Sequence, residues 1–263
     1  PGRAGAIGPR VIGAFVILVA GTVGIGIGAG PSHAAPGEAF TCETGTVFIA
    51  QDIPTRLHTA VQTPEGQIAF EPEGAAAAMR YNAVGFRAAD GFLYGIAADS
   101  GVRTHLVRIG QAGIVTDLGS VAGLPLPTGA QIYNQGTMGA GALADTLFVA
   151  PSIAGDTLMK VDVPSMTATA LTLSQTFPNL SDLVFLSGFV WGLDGSADLW
   201  RIDPDTGVVD RFATGLDLTG SFGAQWVYGN GNLGVGDNAT GVVHQITIDD
   251  PASASPSFRL VSS

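Results

Sequence analysis

The carboxylates that could carry hydrolytic chemistry are distributed unevenly along this chain. Hydrolysis of glycosidic bonds uses two carboxyl groups held roughly 5–10 Å apart. All of the glutamates precede residue 75, so a catalytic pair in the rest of the chain would have to come from aspartates.

Three polar residues interrupt apolar segments that we expect to be innermost in the fold. They are Asn82 in segment 81–86, Asp182 in segment 180–186 and Gln225 in segment 222–228. Only one of the three is an acid, so they favour recognition of a ligand through hydrogen bonds over acid–base catalysis. The alternative is a hydrolase or lyase that acts on glycans at the same place.

Metal-binding side chains are not clustered in the sequence. The histidines are scattered, and a protein metal site needs His, Cys, Asp or Glu residues that converge. Segment 194–198 (DGSAD) has aspartates at a spacing found in calcium loops, but it lacks the later Gly and Glu, so we expect a polar turn. The sequence therefore predicts no metal site and no cofactor.

A short strand-like segment recurs five times, and successive copies begin 43 to 54 residues apart. The copies begin at Gly45, Gly91, Asp145, Gly188 and Gly231. Two more strand-like segments follow each copy, and four copies are preceded by a further one, at 81–86, 137–143, 180–186 and 222–228. Four strands per repeat at this spacing predict an all-β fold, a five-bladed β-propeller of four-stranded antiparallel blades. A β-sandwich or an open meander of the same hairpins is the alternative.

The first repeat lacks the leading segment that the other repeats have. We therefore expect the first blade of the propeller domain, residues 42–263, to lack its inner strand in this chain. The closing strand would then lie beyond Ser263.

The amino-terminal segment has the pattern of a secretory signal. Arg3 and Arg10 precede an apolar run over residues 11–29, and Ser32 and Ala34 place small residues at a cleavage site. We predict an apolar helical signal peptide over residues 1–34 and a spacer over 35–41, and a retained membrane anchor is the alternative. In either case the domain is exported, and we expect it to be secreted or associated with the cell envelope.

Cys42 is the single cysteine of the chain. An unpaired cysteine in an exported protein commonly has a partner elsewhere. We hypothesise a disulfide between Cys42 and a cysteine beyond the chain end, and the alternative is a buried free thiol.

The charge of the chain excludes some classes of partner. The formal net charge is −11 and Lys160 is the single lysine. An acidic surface repels nucleic acid and anionic lipid, so we expect neither as a partner, and no membrane association after signal removal.

Several of these segments together resemble a known family. They are the cysteine before GTVF (Cys42 and 45–48), the T-x-L segment at 55–61, YNAVGF followed by DGFLYGI (81–96), and LWRIDPDTG (199–207). They resemble the uncharacterised propeller-like domain of bacterial, notably actinobacterial, secreted and surface proteins. This resemblance implies the fold and export, and it implies no catalytic residue because the family has no established activity.

The connection at 123–134 is longer than its counterparts and contains two prolines and two glycines. Such loops commonly carry function, so we add Tyr133 and Asn134 to the candidate contact residues Asn82, Asp182 and Gln225. A plain surface insertion is the alternative. Together these features predict a non-catalytic binding or structural module for an extracellular glycan or protein.

Overall fold

The computed structural model describes residues 12–16, as backbone, and residues 35–41, 46–64 and 68–262. These residues form five four-stranded antiparallel sheets, each with its strands in chain order. The helical segments of this part of the chain are two 3₁₀ turns, Gln111–Gly113 and Gly141–Leu143. Among the described residues there is no helix of the length and apolar character that a bilayer span requires.

In each sheet the first strand lies nearest the axis of the molecule and the fourth strand lies at the outside. The first blade contains β1 (Ile12–Val16), β2 (Phe48–Gln51), β3 (Arg56–Gln62) and β4 (Ile68–Pro72), and the second contains β5 (Tyr81–Arg87), β6 (Phe92–Ala97), β7 (His105–Ile109) and β8 (Val115–Ser120). The third contains β9 (Tyr133–Met138), β10 (Thr146–Pro151), β11 (Gly155–Asp162) and β12 (Thr167–Phe177). The fourth contains β13 (Val184–Leu186), β14 (Phe189–Leu193), β15 (Asp198–Ile202) and β16 (Val209–Ala213). The fifth contains β17 (Phe222–Val227), β18 (Leu233–Asp237), β19 (Val243–Asp249) and β20 (Ser257–Ser262).

The inner strands close the sheets into a ring. β5 contacts β9, β9 contacts β13, β13 contacts β17, β17 contacts β1, and β1 contacts β5. Radial repetition of small antiparallel sheets about an axis defines a β-propeller. The predicted five-bladed propeller is therefore confirmed.

The first blade differs in part from the prediction. The chain from Phe48 onward supplies three strands to this blade, as expected. Its inner position is filled by β1, which pairs antiparallel with β2 and comes from the apolar run that we assigned to a signal-peptide helix. Periodicity does not distinguish helix from strand in a uniformly apolar segment, and β1 covers an edge of β2 that would otherwise be unpaired. For residues 12–16 the helix prediction is wrong, and the remainder of segment 1–34 lies outside the described residues.

Two inner strands lie at different positions from those predicted. In the third blade the strand is Tyr133–Met138 rather than 137–143, so Tyr133 and Asn134 belong to a strand and not to the preceding loop. In the fourth blade it begins at Val184, because Ser181 has φ 65° and leaves the extended conformation. A hydrophobic pattern does not reveal these boundaries. The third inner strand is rich in glycine, and the start of the fourth is set by a residue in the left-handed conformation.

The core lies between adjacent blades rather than on one side of each sheet. Successive residues of β10 illustrate this, because side chains alternate across a strand. Leu147 and Val149 pack with the second blade, whereas Phe148 and Ala150 pack with the fourth. Both faces of a blade are consequently apolar, which explains the near-continuous hydrophobic character of the second strands.

The propeller has two ends, which carry different connections. One end of the propeller carries the connections from the second to the third strand of each blade, and those from each outer strand to the inner strand of the next blade. We call this end the loop face. The connections at 52–55, 73–80, 98–104, 121–132, 152–154, 178–183, 194–197, 214–221 and 238–242 belong to it. The hairpins between first and second strands, and between third and fourth strands, form the opposite face.

Candidate functional site

Asp182 lies in the segment that enters the fourth blade, and its side chain is fully buried. One carboxyl oxygen accepts a hydrogen bond from the amide of Leu183 at 2.9 Å, and the other accepts from the amide of Gln225 at 2.9 Å. The amide of Gly136, in the third blade, also donates to this carboxyl group. Burial raises the pKa of Asp182 well above its ordinary value, although the three backbone donors oppose that rise. Asp182 thus joins three consecutive blades.

Gln225 on β17 is also fully buried, and its side chain forms hydrogen bonds with the fourth blade from the fifth. Its side-chain oxygen accepts from the amide of Leu193 at 2.8 Å. Its side-chain nitrogen lies 3.2–3.3 Å from the carbonyl oxygens of Leu180, Asp182 and Leu193. Its two N–H groups are thus surrounded by buried backbone acceptors in and before the fourth blade.

Gln135 on β9 is a member of this network that sequence analysis missed. Its side-chain nitrogen donates to the carbonyl of Pro151 at 2.8 Å, and its side-chain oxygen accepts from the amide of Leu180 at 3.0 Å. The side chain is fully buried. An earlier start for the third inner strand would have placed Gln135 within that strand, as Gln225 lies within β17.

Asn82 on β5 occupies the position of Asp182 in the second blade. Its side-chain oxygen accepts from the following amide, that of Ala83, at 2.8 Å, as Asp182 does with Leu183. Asn82 is 7 % exposed. The structure thus places Asn82, Asp182 and Gln225 on inner segments, as expected, but encloses their side chains between blades; a ligand contact at these residues stays a prediction.

The inner strands β5 and β9 approach each other closely at two glycines, where a side chain would not fit. A Cβ atom built on Gly136 would lie 2.6 Å from the backbone of Ala83. One built on Gly85 would lie 2.4 Å from the amide nitrogen of Met138. β5 and β9 therefore pack backbone against backbone at these two positions.

Tyr133 begins β9 and supports the loop that precedes it. The ring is buried, and the hydroxyl group donates to the carbonyl of Pro125 at 2.8 Å. Burial raises the pKa of Tyr133 to about 12, so the hydroxyl keeps its proton. Asn134 is the extra residue of a β-bulge, half-buried, and its side-chain oxygen has no hydrogen-bond partner among the described residues.

The connection 121–132 and the turn 152–154, which we call the double loop, form one ordered surface on the loop face. The guanidinium of Arg103 donates to the carbonyls of Gly129 and Gln131 at 2.6 and 2.7 Å. Ser152 bonds Ile132 twice, through its backbone amide at 2.8 Å and its hydroxyl at 3.3 Å. This surface presents Leu126 and Ile153, which are 60 % and 47 % exposed.

A second pair of connections on the loop face has the same character. The amide of Ala77 donates to the carbonyl of Thr55 at 2.7 Å, which ties connection 73–80 to turn 52–55. Ile53 is 65 % exposed in that turn, and the neighbouring connection exposes several alanines.

Charged side chains of the loop face form ion pairs and hydrogen bonds with other groups of the protein. Arg80 pairs with Asp99 at 2.8 Å. Asp194 accepts from the amides of Ser196 and Asp198 and from the indole of Trp200 at 2.8–3.0 Å, so DGSAD is a polar turn. The opposite face instead carries aspartates in its hairpin turns, including Asp203. Burial raises the pKa of Asp203, but hydrogen bonds from the amides of Asp205 and Thr206 outweigh this effect and lower the pKa below its ordinary value.

Two further candidates have separate outcomes. In the described residues no group of three or more His, Cys, Asp or Glu side chains converges in a way that could hold a metal ion. Cys42 and the cleavage position at Ala34 lie outside the described residues, so the disulfide and the signal peptide stay predictions.

Comparison with known families supplies a direct assignment. The model of a family described as a repeat of unknown function, DUF6923, matches residues 48–263. This chain belongs to the DUF6923 family. The match covers every strand from β2 to β20, so the family repeat and the propeller blades are the same part of the chain.

Solved structures similar to this DUF6923 chain share its fold at low sequence identity. Glutaminyl cyclase from Myxococcus xanthus has a TM-score of 0.52 at 14% identity, over 86% of this chain and 95% of that one. A chain of a nidogen/laminin complex has a TM-score of 0.52 at 12% identity, over 94% and 79% of the two chains. A Bacteroides thetaiotaomicron protein of unknown function has a TM-score of 0.50 at 14% identity over 76% of this chain, which spans about half (52%) of that protein. No curated protein matches the chain.

Proposed function

We propose that this DUF6923 domain is a non-catalytic binding module, secreted or held at the cell envelope, that recognises an extracellular partner through its loop face. The observation that carries the proposal is the double loop. It is a long connection fixed by hydrogen bonds from three sides, yet it presents exposed aliphatic side chains to solvent.

The order of the double loop favours binding. A loop that is already held in one conformation loses little conformational entropy when it meets a partner, so more of the contact energy becomes affinity. The polar groups of Arg103 and Tyr133 donate hydrogen bonds to carbonyls of the loop rather than to solvent. A plain surface insertion does not need such bonds, because it could remain mobile.

The chemistry of the loop face favours a protein over a glycan. Leu126, Ile153 and Ile53 are exposed there, while Arg80 and Asp99 neutralise each other. Protein interfaces are depleted of unpaired charge at their centres and use apolar side chains as anchors. A chain of a nidogen/laminin complex adopts the same fold, which is consistent with a protein-binding role.

Catalysis at the inner strands receives less support. A general acid or nucleophile needs a carboxyl group that reaches the substrate. Both carboxyl oxygens of Asp182 instead accept hydrogen bonds from backbone amides, and the side chain is enclosed.

The test begins with fluorescently labelled full chain applied to an array of purified extracellular proteins and to a glycan array. For the strongest partner, the dissociation constant is measured with wild type and with the double variant Leu126→Ser, Ile153→Ser. Truncation of two central apolar anchors should weaken binding about tenfold or more. Glycan binding with no protein binding would contradict the choice of partner.

The control variant carries Ile114→Ser and Val208→Ser, which remove exposed aliphatic groups (both 47 %) from the opposite face. It should bind as the wild type does. Equal loss of affinity in both double variants would show that the loop face is not the binding surface.

A further inference from the structure

The inner strand of the first blade is attached to the blade differently from the other inner strands. In the fourth blade β13 and β14 are joined by residues 187–188, whereas residues 17–47 separate β1 from β2. A hairpin of two residues imposes its pairing locally. β1 has no such constraint and reaches β2 as a distant segment of the chain.

The site that receives β1 is a groove between blades. β1 pairs with β2 in the register Ile12↔Gln51, Gly13↔Ala50, Phe15↔Ile49 and Val16↔Phe48. It also contacts the inner strands of both neighbouring blades, β17 and β5, and reaches β9. Phe48, Ile49 and Ala50 are 3–5 % exposed, so an empty groove would leave the backbone groups of an apolar strand without partners.

The segment that fills the groove lacks the polar residues that fix three of the other four inner segments. Gln135, Asp182 and Gln225 tie their segments to adjacent blades through buried hydrogen bonds. The sequence of β1, Ile-Gly-Ala-Phe-Val, contains no side chain capable of such a bond. What the groove requires of its occupant is therefore an extended backbone and small or apolar residues.

From these three observations we infer that the inner edge of β2 is a strand-acceptor site, whose ligand is an extended, apolar peptide segment that pairs antiparallel with residues 48–51. β1 is the occupant within this chain. It lies in the segment predicted as a signal peptide, so cleavage after Ala34 on export would vacate the site for a segment of the same chemistry from a partner protein. Main-chain hydrogen bonds supply affinity in such strand addition, and the walls of the groove select small apolar residues.

The experiment uses the full chain with Gly13 and Phe15 both replaced by proline. Proline removes the donors that β1 needs for pairing, so the tethered strand can no longer occupy the groove. The probe is a fluorescent peptide with the sequence of residues 10–18 and two added lysines for solubility. Its binding to the proline variant and to wild type is measured by anisotropy, together with the thermal unfolding midpoint.

The proline variant should bind the peptide in a one-to-one ratio and at least about tenfold more tightly than wild type, in which the tethered strand competes at an effective concentration near millimolar. Saturating peptide should raise the unfolding midpoint of the variant. The matched control peptide, with proline at the same two positions, should do neither.

Two results would overturn the inference. Equal binding of the peptide to wild type and variant would place its site outside the β2 groove. If the variant fails to fold, refolding in the presence of the peptide should restore the propeller, and a lack of both binding and rescue would show that the groove does not accept a separate strand.

Discussion

At the residue scale, the polar side chains nearest the axis act as clasps between blades. Gln225 accepts from the amide of Leu193, and its two side-chain N–H groups lie among three carbonyls in and before the fourth blade. Asp182 receives amides from its own blade and from both neighbours. Buried backbone groups that lack a ladder partner are costly, so a side chain with both a donor and an acceptor is well suited to this position.

Replacement of Gln225 by leucine should therefore destabilise the protein. The substitution leaves the amide of Leu193 and several carbonyls buried without a partner, and we expect a loss of about 2–4 kcal/mol in the free energy of unfolding. Urea denaturation of both proteins measures this difference. Gln62→Leu, at an exposed position on β3, is the matched control and should change stability by less than about 0.5 kcal/mol. Unchanged stability of the Gln225 variant would leave Gln225 free for another role.

At the element scale, the propeller depends on inner strands that nearly touch. Glycine at position 136 lets β9 lie against the backbone of Ala83 on β5. The second strand β10, which pairs with β9, carries large side chains of the core such as Leu147 and Val149.

Gly136→Ala should be strongly destabilising. Its methyl group would lie 2.6 Å from backbone atoms, which cannot rotate away as a side chain could, so we expect a loss of about 1–3 kcal/mol or more. Gly155→Ala on β11 is the control, because a Cβ atom there meets nothing within 4 Å. Comparison of the two thermal unfolding midpoints checks the prediction, and equal midpoints would contradict the close approach of β5 and β9.

The sequence predicted the elements better than their edges. The leading segments predicted at 81–86 and 222–228 lie within a residue of the observed strands Tyr81–Arg87 and Phe222–Val227. The third inner strand was misplaced because Gly136, Gly139 and Gly141 weaken its hydrophobic pattern, and with it the role of Gln135 was lost. The burial of Asn82 and Asp182 depends on contacts between blades, which no local pattern reports.

At the scale of the whole molecule, three regions differ in the side chains that they carry and in what those side chains do. The inner ring holds the blades together, the loop face offers an ordered aliphatic surface around Leu126 and Ile153, and the opposite face carries acidic turns. The first blade joins this ring through a strand from far away in the sequence. The fold could be predicted from the repeat alone, whereas this division could be seen only once the blades were placed around an axis.

The central claim is that the inner segments form one closed, cooperative ring rather than an accessible ligand site. Amide hydrogen exchange of the full chain tests it most directly. We predict that the amides of Leu183, Leu193 and Gln225 exchange together and slowest, with an opening free energy close to that of global unfolding. Exchange of these amides as fast as that of the surface turns, or blade by blade, would contradict the account.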